Sequence, residues 1–327
     1  MLSLFSFSAA CNDKKKVEEK EETASQPAVT TGTPKTGDAL PPAVAVDNKV
    51  VPVAPKPSLE LYPPSIGVFP FSLPDAKRSL YFGFAADGTR PFQMVFGYAV
   101  AAVPDFDQAI TRPNFKTEAE FDTFMNDWAK QFQANAKYTQ ALNQLATSFA
   151  WVVDPVYFSD VALVLPDSIF AGAPEYVKAT QKVFARRFTT KAVGNTTIKG
   201  TVDGGTLSIP VVIQAYTNAQ MLAGKTRYET ATTGCIGCHG NATTNQDAFL
   251  KHSSDYLAFV TDLEIMNLVK TSAYPDGSLL NNGTHKFTFA TPADETALVA
   301  YLRSFPPSFD KIQAGVGAAT FQGTLLR

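Results

Sequence analysis

The sequence predicts a multidomain protein in which an α+β domain over residues 59–214 is followed by an all-α domain over residues 215–308. Three observations predict it. Aromatic and β-branched runs broken by Asp-Gly turns fill the first region, helical spacing alone fills the second, and neither pattern reaches back to the first 58 residues. The 327-residue chain is longer than one ordinary domain of roughly 100–200 residues. Hydrophobic residues make up 45% and aromatic residues 12%, ample for a core, and the 18% charged content lies below the usual roughly 25%. Wholesale disorder is excluded. A formal charge of −2 gives no general attraction for nucleic acid or for an anionic membrane surface.

Residues 1–11 read as a signal or lipoprotein-like segment, a short apolar run ending in Ser8-Ala9-Ala10 before Cys11. No positive charge precedes the run, and Ser8 stands where such signals carry a large aliphatic residue, so some upstream residues are expected to be missing from the chain as read. Residues 12–58 begin with a mixed-charge run, Asn12 to Glu22, and continue in Ser, Thr, Pro, Ala and Val. So little apolar area cannot offset the entropy of ordering, which predicts a solvated tether. A Pro-rich tether is extended and semi-rigid, and it makes most sense if Cys11 carries lipid.

Within 59–214, Leu80–Ala86 and Phe92–Val100 flank Asp87-Gly88 and predict a hairpin. Thr117 with Glu120 forms a capping box, and Phe121, Phe124, Trp128, Phe132 and Leu142 predict one amphipathic helix over about 118–147. Val161–Leu165 predicts a strand, Pro174–Phe188 a helix with proline in its first turn, and Thr197–Val202 with Thr206–Ile213 a second hairpin across Asp203-Gly204-Gly205. This region holds no histidine and no cysteine, which excludes Ser-His-Asp and Cys-His nucleophilic machinery from it. Its expected role is docking or scaffolding, with small-molecule binding as the sharper alternative.

From Ala215 the spacing predicts helices at about 217–232, 246–257, 259–271 and 292–304. Residues 309–327 read as a helix-poor, glycine-containing tail. No stretch of about 20 uninterrupted apolar residues occurs, so no membrane-spanning helix is expected.

Three cysteines in a chain this long exclude a disulfide scaffold, and two of them form Cys235-Ile-Gly-Cys238-His239, a c-type haem attachment sequence. Two thiols about one helical turn apart can add to the two vinyl groups on one edge of a porphyrin, leaving the adjacent histidine under the iron. A structural zinc site would need a second ligand pair, which the sequence lacks. A thioredoxin-like dithiol would follow a strand, whereas here a predicted helix precedes it.

Residues 219–305 resemble a class I c-type cytochrome domain. The resemblance rests on Ala223–Glu229 leading into Gly234-Cys-Ile-Gly-Cys-His-Gly240, and on the closing segment Thr291–Ser304. It implies one covalently bound haem c, held by Cys235, Cys238 and His239, and first and last helices that cross beside it, with Leu298, Val299, Tyr301 and Leu302 spaced for that packing. Where many such domains carry a ligating methionine before the last helix, this chain has His285, the candidate second axial ligand. Met266 lies in an apolar stripe and reads as core, and His252, beside Lys251 and two serines, reads as solvent-facing. Phe249, Tyr256, Phe259, Phe287 and Phe289 are candidate walls of the haem pocket.

Two histidine ligands imply electron transfer at low potential, and an open sixth position would admit oxygen, peroxide or nitric oxide. The expected function is a monohaem cytochrome carrying single electrons between periplasmic or membrane redox partners, an electron-transfer protein rather than a catalyst. Its expected location is the periplasm or cell surface, with membrane contact only through a lipid at Cys11. The rivals are a peroxidase-like enzyme or gas sensor with a displaceable ligand, and a subunit of a larger respiratory or photosynthetic complex.

Overall fold

The structure, a computed structural model, describes residues 56–62, 79–87, 91–103, 117–165, 175–203, 205–230, 234–240, 251–274 and 277–313. Cys11, the tether up to residue 55, Phe249 and the tail beyond residue 313 lie outside the described residues.

Eight strands form two four-stranded sheets. The first has the order β1 (Lys56–Tyr62), β3 (Gln93–Val103), β6 (Gln181–Thr190), β5 (Phe158–Leu163), antiparallel throughout. The second has the order β2 (Leu80–Phe84), β8 (Gly205–Ala215), β7 (Gly194–Val202), β4 (Ala150–Val153), with β2 parallel to β8. Period-2 alternation turns one face of each sheet inward. Leu80, Phe82, Ile198, Ile209, Val211 and Ile213 of the second sheet join Met94, Phe96, Tyr98, Phe158 and Phe188 of the first in one buried cluster. Each large side chain buried there contributes roughly 1.5–3 kcal/mol. The Tyr98 hydroxyl, fully buried, donates to the Ile198 carbonyl of the facing sheet at 3.2 Å, so the interior polar atom is satisfied.

The expected hairpin over 197–213 is present as β7 and β8, paired Val202↔Gly205 through Gly194↔Ile213. The other hairpin is not. β2 and β3 enter different sheets, Leu80 pairing with Val211 and Met94 with Phe188. An Asp-Gly between two apolar runs marks a turn and leaves the partners of the runs open. The helix expected over 118–147 is two helices, α1 (Glu118–Ala134) and α2 (Ala136–Ser148), because Asn135 takes extended backbone angles and its side chain accepts from Lys137 N at 3.1 Å. Short polar side chains of this kind compete with the helix for backbone groups. The helix expected over 174–188 shrinks to α3 (Glu175–Thr180), and β6 follows at once, buried at Ala185, Phe188 and Thr190 and flanked by strands on both sides.

The largest correction concerns fold class. The segments after Ala215 do not make a separate all-α domain: residues from Pro52 to Arg327 form one compact unit of mixed α and β structure with two sheets. The helices concerned are α4 (Asn218–Glu229), α5 (Ile236–His239), α6 (Ser254–Leu257), α7 (Asp262–Thr271), α8 (Pro292–Arg303) and α9 (Ser308–Gln313). Ala258 and Phe259 belong to the sandwich core, while Ala85, Phe92 and Tyr216, at the ends of strands, belong to the helical core. Backbone bonds cross the seam, Tyr81 N to Ala258 O and Tyr216 N to Phe84 O, both 2.8 Å.

A buried cation fastens the same seam. Arg303, 3% exposed, donates to Asp262, to the carbonyls of Leu257 and Val260, and to the Tyr81 carbonyl of β2. Arg187 of β6 makes a bidentate pair with Asp310 of α9. α9 opens a stretch expected to be helix-poor. Helical periodicity identifies which face is apolar and is silent on what covers it, so a helical layer on a sheet reads like a helical domain.

Candidate functional site

The site begins where α4 and α8 pack together. Gly224 of α4 lies so close to α8 that a Cβ there would stand 1.9 Å from the Ala297 carbonyl oxygen, so only glycine permits the approach. Past α4, the Gly234 N–H donates to Thr230 O at 2.6 Å, and a Cβ on Gly234 would meet the last carbonyls of α4 at 2.4–2.9 Å. This seats the Cys-x-x-Cys-His turn on the end of α4. Cys238 N and His239 N both donate to Cys235 O, at 3.2 and 2.9 Å, closing one helical turn that puts the two cysteines on one side and His239 at its end.

His285 arrives from the other direction. α7 ends at Ser272, a fully buried residue with φ 62°, and its hydroxyl donates to the His285 carbonyl. Phe287 N donates to Val269 O at 3.0 Å, and Arg227 of α4 donates to Thr288 O at 2.9 Å with its guanidinium over the Phe289 ring. Three anchors therefore hold the loop that carries His285.

All three histidines of the chain meet here. The His239 and His285 ring centroids are 6.2 Å apart with planes at 78°. The His252 ring lies flat on His239, centroids 3.5 Å apart and planes within 2°. This corrects the solvent-facing expectation for His252: the ring is half-buried, its Nδ1 shares a 3.1 Å hydrogen bond with the Tyr228 hydroxyl, and its other neighbour is Phe305. Burial, with His239, Lys311 and His285 adding, holds His252 well below the usual imidazole range and therefore neutral. His285 is also lowered by burial, and its Nδ1 is buried with no protein partner. Burial pushes the Cys235 thiol up to about 11 against the opposing charge of Arg227. Cys235 is a free thiol and Cys238 is disulfide-bonded.

Among the described residues no group of three or more His, Cys, Asp or Glu converges as a metal cage. A haem iron needs fewer, since the porphyrin supplies four nitrogens and the protein only the axial ligands. A metal–imidazole bond of about 2.0–2.1 Å, with the ring centre about 1.1 Å behind its nitrogen, sets two trans imidazoles roughly 6.2–6.4 Å apart centre to centre. The His239–His285 pair matches that spacing, and an unpartnered buried nitrogen on His285 is what a ligand position requires. His252 does not fit as the opposite ligand, because face-stacked rings keep their lone pairs in parallel planes. The donor set fits haem c once Cys238 is reduced.

Of the expected pocket walls, Tyr256 is buried in the helical core, Phe289 packs against that core, and Phe287 sets its ring 5.0 Å from His285. Phe259 is a correction, since it belongs to the sandwich. Tyr228, Arg227 and Lys311 shape the site and were not singled out in the sequence. Tyr228 alone left a trace there, as the one aromatic at the end of the helix leading into the motif. No known protein family, no curated protein and no solved structure matches this chain.

Proposed function

We propose that this chain is a monohaem c-type cytochrome that passes single electrons between redox protein partners, with His239 and His285 as axial ligands. The observation that carries the reading is the 6.2 Å spacing of these two rings, one of them closing the Cys-x-x-Cys-His turn and the other presenting a buried, unpartnered nitrogen. Bound there, haem supplies a one-electron iron couple.

Each cysteine attaches by adding across a vinyl group, its sulfur bonding one carbon and its proton passing to the other, with no net oxidation. Cys238 must first be reduced by an external dithiol, which takes up the oxidising equivalents of the S–S bond. His239 and His285 hold the iron on both sides, and two imidazoles favour a lower potential than imidazole with thioether. Tyr256, Phe287 and Phe289 keep water from the site, which limits reorganisation as an electron arrives or leaves. The sandwich, sharing its core with the helical layer, gives the site a rigid base and a docking face. Covalent attachment of this kind takes place after export, so the reading carries with it a periplasmic or cell-surface location, with Cys11 as the lipid anchor.

The test is expression in a host with haem-attachment machinery, followed by haem-stained denaturing electrophoresis and intact mass. The wild type keeps haem through denaturation, and Cys235→Ala with Cys238→Ala loses it. A wild-type chain that emerges at the mass of the bare polypeptide contradicts the proposal.

A further inference from the structure

Resting on the haem reading above, we infer that His252 is a positioning residue that fixes the rotation of the His239 ring by stacking on it, with Tyr228 holding His252 in place. His239 projects from a single helical turn, and a lone turn leaves its imidazole free to rotate about the Cβ–Cγ bond. The His252 ring removes that freedom. Its face lies 3.5 Å from that of His239 and within 2° of parallel, and any rotation of one ring drives its edge into the other.

His252 is in turn held on all accessible sides. Its Nδ1 bonds the Tyr228 hydroxyl at 3.1 Å, its ring stacks toward Phe305 at 6.2 Å and 25°, and Lys311 donates to its carbonyl at 2.6 Å. Tyr228 is itself wedged between Tyr301 of α8 and Phe305, at ring distances of 5.4 and 5.2 Å. With the tyrosine as donor, the proton of neutral His252 stands on Nε2, so the stack carries no charge against His239. The orientation passes from α8 through Tyr228 and His252 to the iron-binding ring.

The plane of an axial imidazole selects which iron d orbital it mixes with, and near-perpendicular axial planes spread the g values of the ferric low-spin state. Stacking by His252 therefore has a spectroscopic signature that a merely structural residue lacks. The experiment is electron paramagnetic resonance of the haem-loaded full chain as wild type, His252→Phe, His252→Ala and Tyr228→Phe. The wild type is expected to give a low-spin signal with a large, sharp maximum g. His252→Phe keeps a flat ring and leaves that value in place, His252→Ala shifts and broadens it, and Tyr228→Phe shifts it in the same direction by less.

A maximum g unchanged in both His252→Ala and Tyr228→Phe overturns the inference while the low-spin signal leaves the haem reading standing. Loss of the low-spin state in His252→Ala and His252→Phe alike overturns it too, by making His252 a ligand. A wild type without haem removes both readings at once. If His252→Ala fails to accumulate, the comparison of Tyr228→Phe with wild type decides, a shift supporting the inference and identity overturning it.

Discussion

The sandwich and the helical layer share one compact unit and bury their side chains by different means. The sandwich interior is almost all hydrocarbon: Phe96 stacks on Phe188 at 4.6 Å, Phe149 on Phe184 at 4.3 Å, and Trp151 tilts against Tyr98 at 4.8 Å. Its buried hydroxyl on Tyr98 is paired, and burial pushes that phenol far above its ordinary range. The helical layer buries charge instead. Asp255 is 1% exposed, Arg303 3% and Lys311 8%, beside the stacked imidazoles. Burying a polar group without a partner costs roughly 1–3 kcal/mol or more, so the helical layer is stable only while its partners stay in register. The chain keeps its titratable chemistry in that layer, and the sandwich holds the layer in shape.

The difference can be broken most severely at Arg303. Arg303→Met keeps the apolar stem and strips Asp262 and the carbonyls of Tyr81, Leu257 and Val260 of their donor, which destabilises by roughly 3–5 kcal/mol, read by denaturant unfolding. Both layers are expected to unfold together, because the seam is shared. A sandwich that keeps its own later transition would show two independent units.

Gly224→Ala is the next largest. Its methyl would overlap the Ala297 carbonyl of α8, and overpacking of this kind destabilises by roughly 1–3 kcal/mol. Thermal unfolding should show the loss, and haem loading should fall with it because α4 carries the attachment turn. The smallest effect is a pH dependence. Burial lowers Lys311 from 10.5 to about 8 in the folded chain. Between those values the unfolded chain binds more protons than the folded one, so stability rises with pH through that window, by roughly 1–3 kcal/mol, and is flat with respect to this group below it. Lys311→Met abolishes the rise, measured as unfolding free energy at pH 7.5 and pH 10.

Much of the site was legible because its spacing is chemical. Cys235, Cys238 and His239 stand at the interval that a porphyrin edge demands, and His285 stood out as the histidine in the loop before the last helix. His252 was not legible: Lys251 and two serines beside it suggest solvent, while its burial depends on Tyr228, Phe305 and Lys311, far off in the chain. The hairpin β7–β8 was legible because its turn and its pairing are local. The partners of β2, the strand β6 and the merging of the helices with the sheets were not. Each is decided by long-range contacts, such as Arg303 to Tyr81, that no periodicity records.

The central claim is that His239 and His285 hold one iron between them, and electron paramagnetic resonance with optical spectra of the ferric protein before and after His285→Ala tests it most directly. The account predicts a low-spin bis-imidazole signal in the wild type that becomes high-spin in the variant. A wild type already high-spin and binding cyanide or carbon monoxide readily, or a low-spin signal that survives His285→Ala unchanged, would contradict it.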